Sequence, residues 1–140
     1  MAEGLARFMS GGEVTTESAG THPSGVVSRE AIRVMSELGI NITDQWSKGL
    51  DEVTFEDADV VISMAPERAA AMVPAGFSGL AEDWDVADPV GLPIDAFRLI
   101  RQELAERLET LFEALGIDVT PLPAPGEIRY GEDRAGRRNR

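Results

Sequence analysis

Apolar residues recur along this chain with two different periods, and the changes between them mark out its elements. Met1, Leu5, Phe8 and Met9 fall on one face of a helix that Gly11 and Gly12 stop. Residues 14–19 are short and β-prone, and read as a strand running into a loop over 20–25. Ser28 is placed to cap a second helix whose Ile32, Met35 and Leu38 share a face, with Gly39 as its stop. The run 59–64, Asp-Val-Val-Ile-Ser-Met, is continuously apolar at its centre, the pattern of a strand buried on both faces of a parallel sheet. Pro66 suits the first turn of a short helix reaching Met72, and a brief strand is expected within 77–86, ending near Trp84–Val86. The longest pattern comes last. Pro93 opens it, Ile94, Phe97, Ile100 or Arg101, Leu104, Leu108, Leu111 and Leu115 keep helical spacing, and Gly116 closes it. Glu103 and Arg107 stand four apart in the favourable order on its outer face. Helices alternating with strands in this way predict an α/β domain with a mostly parallel sheet.

Composition narrows what such a domain can do. The 140 residues include no cysteine, which excludes disulfides, thiolate zinc sites and any cysteine nucleophile supplied by these residues. The formal net charge of −12 argues against a nucleic-acid partner, because gripping phosphate backbones needs a basic face. No apolar run is long enough to span a bilayer, so no membrane partner is expected. With no signal-peptide pattern at its start, the expected location is the cytoplasm. The charge is unevenly spread: residues 1–116 carry 8 basic and 21 acidic side chains, whereas 117–140 carry 5 and 4. Residues 120–126 are Pro-rich and 134–140 are polar and basic. The expected division is a folded domain over 1–117, followed by a Pro-rich linker and a disordered basic tail over 118–140.

Several side chains invite a chemical reading and receive a plain one. His22, the sole histidine, has no second His or Cys at ligand spacing, and no metal or cofactor is expected. The carboxylates Glu82, Asp83, Asp85 and Asp88 lack the spacing of a calcium loop and read as a solvated acidic segment. Trp46, Trp84 and Phe77 are packing residues first and candidates for the rim of an aromatic substrate's site second.

Three stretches taken together carry a resemblance. They are Met1-Ala2-Glu3-Gly4 at a helix start, Glu17-Ser18-Ala19-Gly20-Thr21 at a strand end, and Trp84-Asp85-Val86-Ala87-Asp88-Pro89 ahead of Gly91 and the long helix. Residues 31–40, Ser47-Lys48 and 59–64 support them. In this order and spacing, residues 1–116 resemble the low-molecular-weight protein tyrosine phosphatase family, with its arsenate reductase branch.

That resemblance implies a three-layer α/β/α fold around a four-stranded parallel sheet. It also implies a phosphate loop of Cys, five residues, Arg and Ser or Thr between the first strand and first helix. A thiolate there attacks phosphate monoester or arsenate, backbone N–H groups and the arginine hold the oxyanion, and the acid of an Asp-Pro loop protonates the leaving group. By this resemblance Asp88 is the general acid, and Ser18 a hydroxyl that supports the phosphate loop from behind. With that loop in place, the partner is a phosphorylated protein or a small oxyanion, phosphate or arsenate.

The stretch before the first helix, which should hold an interior strand and the Cys-x5-Arg loop, is not among these residues. The chain opens inside a helix, without a cap, where an α/β domain usually opens on a strand. The expectation is therefore a start assigned at an internal methionine, and a chain that is inactive as it stands. The alternatives are a noncatalytic acidic protein-interaction domain (a pseudophosphatase), or a companion polypeptide that supplies the strand and loop. Residues 84–89 and 92–98 look closer to the reductase branch. Residues 65–71 lack the extra cysteines that its thioredoxin-coupled members carry after the buried strand.

Overall fold

The computed structural model describes residues 1–20 and 27–124, and the backbone groups them into two compact units. The first combines Met1–Thr16, Val27–Gln45 and the chain from Pro89 onward; the second combines Glu17–Val26 with Trp46–Asp88. His22 and most of the basic tail lie outside the described residues.

The first unit is helical. Its elements are α1 (Ala2–Met9), α2 (Arg29–Ser36) and α4 (Ile94–Leu115), and both shorter helices pack on α4. Ser28 caps α2 as expected, its Oγ accepting the Ala31 N–H at 3.4 Å. Gly116 closes α4 in the left-handed conformation (φ 74°), where only glycine is unstrained, and the Ile117 N–H turns back to the Phe112 carbonyl. Leu5, Val34, Met35 and Ile42 are fully buried. Gly4 lets α1 approach: a Cβ there would lie 2.7 Å from Ile42 Cγ2 and 3.3 Å from Met35 Cε. Beyond α4, the Thr120 N–H donates to the Met9 carbonyl at 2.7 Å.

Two arginines of α4 converge on one carboxylate of the α2 C-terminus. Arg101 is buried, and its Nη1 donates to the Val34 carbonyl at 2.6 Å and to Glu37 Oε1 at 2.8 Å. Arg98 grips the same carboxylate through Nη2 at 2.6 Å and Nε at 3.1 Å, and Asp95 through Nη1 at 2.6 Å. The Arg98 guanidinium holds the Glu37 carboxyl below the usual glutamate range, with Arg101 adding to the effect. At the core position the periodicity left open between Ile100 and Arg101, the arginine goes inside. Its stem is apolar and its head finds two acceptors. Glu103 and Arg107 form the expected pair at 3.0 Å.

The second unit holds the sheet: β1 (Val60–Ser63) and β2 (Leu80–Asp83) pair in parallel, Val60 opposite Leu80 and Ser63 opposite Asp83, with α3 (Ala69–Met72) between them in sequence. The parallel α/β arrangement is the expected one. Three local expectations are corrected. Residues 14–19 form no strand; a ladder needs a neighbour, and the pairing found here is a single parallel bridge from Gly20 to Gly49. In β1, Val60, Val61 and Ile62 are half-buried and only Ser63 is buried, because the sheet described has two strands and gives β1 one paired edge. The short helix also begins at Ala69 rather than at Pro66.

Candidate active site

In parallel α/β sheets ligands are bound beyond the carboxyl ends of the strands, so the chain leaving Ser63 and Asp83 is the place to look. After β1, the Ser63 hydroxyl donates to the Glu67 carbonyl and accepts the Ala65 N–H at 3.3 Å, folding the turn that leads to α3. Asp83, at the end of β2, reaches across the same edge. Its Oδ1 accepts the Ala69 N–H at 2.7 Å, satisfying an end donor of α3, while Oδ2 lies 3.2 Å from Arg68. Asp83 therefore builds the edge rather than facing a ligand.

Trp84 continues the ladder. Its N–H donates to the Ser63 carbonyl at 2.8 Å, its indole is buried, and indole Nε1–H donates to Glu82 Oε1 at 2.8 Å. The Val86 N–H then turns back to the Trp84 carbonyl at 3.1 Å. Asp88 stands exposed two residues further on, and the Leu92 N–H closes a turn on the Pro89 carbonyl at 2.9 Å. Glu82 and Asp83 are thus occupied within the protein.

Ser18 is exposed on the segment that enters the sheet region at Gly20, whose N–H donates to the Lys48 carbonyl at 2.8 Å. Ser18 and Asp88 belong to the same unit but to different loops, one before the Gly20–Gly49 bridge and the other after β2. The tryptophans divide: Trp84 is core, whereas Trp46 is 57% exposed and carries the Lys48 ammonium 4.6 Å from its ring centroid. Phe77 is half-buried against the start of β2, where it crowds Gly79. Sequence reasoning passed over Lys48 as a site residue, although one signal was present: it is the chain's only lysine.

A family model described as low molecular weight phosphotyrosine protein phosphatase matches residues 1–120, and the chain belongs to that family. A glutaredoxin arsenate reductase of Synechocystis sp. is 34% identical over 113 residues, covering 79% of this chain and 84% of the relative. An arsenate reductase solved in a phosphate-binding state superposes with a TM-score of 0.70 at 32% identity, covering 81% of this chain and 86% of that one. The low molecular weight protein tyrosine phosphatase of T. tengcongensis superposes at 0.63 with 30% identity, covering 81% of this chain and 88% of that one. The fold is thus the α/β fold of this family. Among the described residues no helix is long and apolar enough to cross a membrane.

Proposed function

We propose that these 140 residues carry the acid–base part of low-molecular-weight phosphatase and arsenate reductase chemistry, and turn over neither substrate by themselves. The observation that carries the reading is the pairing of an Asp88-Pro89 loop at the carboxyl edge of the parallel sheet with a sequence that contains no thiol. In this reading residues 1–117 form the phosphatase-like domain and 118–140 the linker and tail. Asp88 is the proton donor to a leaving oxygen, and Ser18 a supporting hydroxyl. Without a thiolate no phosphocysteine or arsenocysteine forms, so a bound phosphate or arsenate stays intact.

The test has two arms. Purified chain is incubated with an aryl phosphate, and separately with arsenate plus glutathione and glutaredoxin; no turnover is expected in either. A strand and Cys-x5-Arg-Ser segment is then joined ahead of Met1. Activity that appears and falls by two or more orders of magnitude in Asp88→Asn supports Asp88 as the acid, in line with the usual worth of general acid catalysis, roughly 10²–10⁴-fold. Activity indifferent to Asp88→Asn removes that role.

The charge favours a second reading, a noncatalytic acidic domain that binds a protein partner. Its second unit sets eleven carboxylates against two cations. It requires a stably folded 140-residue chain, and broad unfolding or aggregation on purification would rule it out.

A further inference from the structure

Lys48 stands apart from every other cation of its unit. The unit formed by Glu17–Val26 and Trp46–Asp88 has only one other, Arg68, among its eleven carboxylates. Arg68 is 79% exposed and paired with Asp83. Lys48 is the reverse on both counts. Only 8% of its surface is open, and among the described residues no carboxylate lies within ion-pair distance of its ammonium. Its Nζ rests on the Trp46 ring instead.

A contact with the face of a half-solvated ring offsets only part of what withdrawing an ammonium from water costs. In a unit this rich in carboxylates, an ion pair is the cheap solution for a lysine whose role is structural. The backbone also holds Lys48 in place. Its carbonyl accepts the Gly20 N–H at 2.8 Å, and the next residue, Gly49, donates to Glu52 Oε2 at 2.8 Å. An enclosed, anchored and uncompensated ammonium is a seat for an anion that arrives from outside. The same carboxylates that leave it unpaired repel anions elsewhere on the unit.

Building on the phosphatase and reductase reading above, we propose that Lys48 is an oxyanion-binding residue, its ammonium taking an oxygen of a tetrahedral phosphate, phosphomonoester or arsenate. An ammonium offers three donors and a compact point charge, which suits one oxygen of such an ion. Trp46 holds the ammonium in place while leaving its remaining donors to the ligand. No bond is made or broken in this step.

Because Lys48 is the sole lysine, biosynthetic labelling of the 140-residue chain with lysine carrying ¹³C at Cε yields one ε-carbon resonance and leaves the ammonium intact. The labelled chain is titrated with inorganic phosphate, arsenate and phosphotyrosine, each against sodium chloride of equal ionic strength. A saturable shift of the Lys48 signal is expected with the oxyanions and not with chloride. Saturation by the two inorganic ions identifies the free ion as ligand, and saturation by phosphotyrosine alone identifies the aryl phosphomonoester; both support the proposal. By calorimetry on unlabelled chains, Lys48→Met should weaken binding by about tenfold or more, and Lys48→Arg by no more than about threefold. A Lys48 resonance that ignores all three oxyanions overturns the proposal. So does a Lys48→Met chain, folded by circular dichroism, that binds them as tightly as the parent. If Lys48→Met fails to fold, the ε-carbon resonance decides alone. Turnover in the same samples would sink the silent-chain reading and leave the binding result standing; absent binding would sink Lys48 and leave the silence intact.

Discussion

Removing Glu37 should damage the helical unit more than any other single change at its surface. Its carboxylate is 24% exposed and is shared by Arg98, which is 34% exposed, and Arg101, which is 9% exposed. In Glu37→Ala, Arg98 still has Asp95 and water, but Arg101 keeps only the Val34 carbonyl for a guanidinium closed off from solvent. Breaking a buried pair by deleting one partner costs about 3–5 kcal/mol. Glu37 is not wholly buried, so about 2–3 kcal/mol is expected, whereas Arg98→Ala removes a more exposed, solvent-screened contact and should cost less. The readout is chemical denaturation followed by far-ultraviolet circular dichroism, which reports on α1, α2 and α4, since both tryptophans lie in the other unit.

The pH dependence follows from the sign of the shift. Glu37 titrates lower folded than unfolded, so its stabilisation is complete above the unfolded value of about 4.3 and fades as pH falls through the lower, folded value. The difference between parent and Glu37→Gln should accordingly be constant near neutrality and shrink under acid conditions below that range. A Glu37→Ala loss no larger than that of Arg98→Ala, or a difference that grows on acidification, would refute the reasoning.

Other substitutions probe the contacts that shape each unit. Gly4→Val should cost about 1–3 kcal/mol by overpacking against Ile42 and Met35, visible as a lowered denaturation midpoint with an unchanged slope. Gly79→Ala would drive a methyl group into the Asp59 carbonyl, a backbone atom that cannot step aside; blue-shifted tryptophan emission should be lost as Trp84 is freed. Asp83→Ala removes the acceptor for the Ala69 N–H and the partner of Arg68, and should cost about 1 kcal/mol, measured by tryptophan fluorescence during urea unfolding.

What the amino-acid pattern conveyed, and what it did not, divides along physical lines. Local rules sufficed for most of the helical unit, although Leu115, read into the last stripe, stands 45% exposed and Phe112 is buried in its stead. Ser28 caps, Gly116 ends a helix, and the stripe from Phe97 to Phe112 is buried, because these choices depend on a few neighbouring residues. Residues 14–19 have strand propensity, yet a strand exists only where a partner lies alongside, and that is a property of distant chain. The same holds for β1, whose apolar run describes a central strand while its burial here reflects one paired edge. Two tryptophans of equal promise part company because Trp84 follows a strand into the core and Trp46 does not. The Glu37–Arg98–Arg101 cluster joins residues 61 and 64 positions apart, beyond any periodicity. At the candidate site, Asp88 is nominated by its flanking residues, whereas Lys48 emerged only once its burial and missing counter-ion were visible.

One assay bears on the whole reading at once: steady-state hydrolysis of an aryl phosphate by the purified 140-residue chain. The predicted result is a rate indistinguishable from buffer at every protein concentration, because no thiolate is present to take the phosphoryl group. Saturable turnover that scales with protein concentration and disappears in Asp88→Asn would contradict it, and would mean that this unit performs the chemistry with a nucleophile other than cysteine.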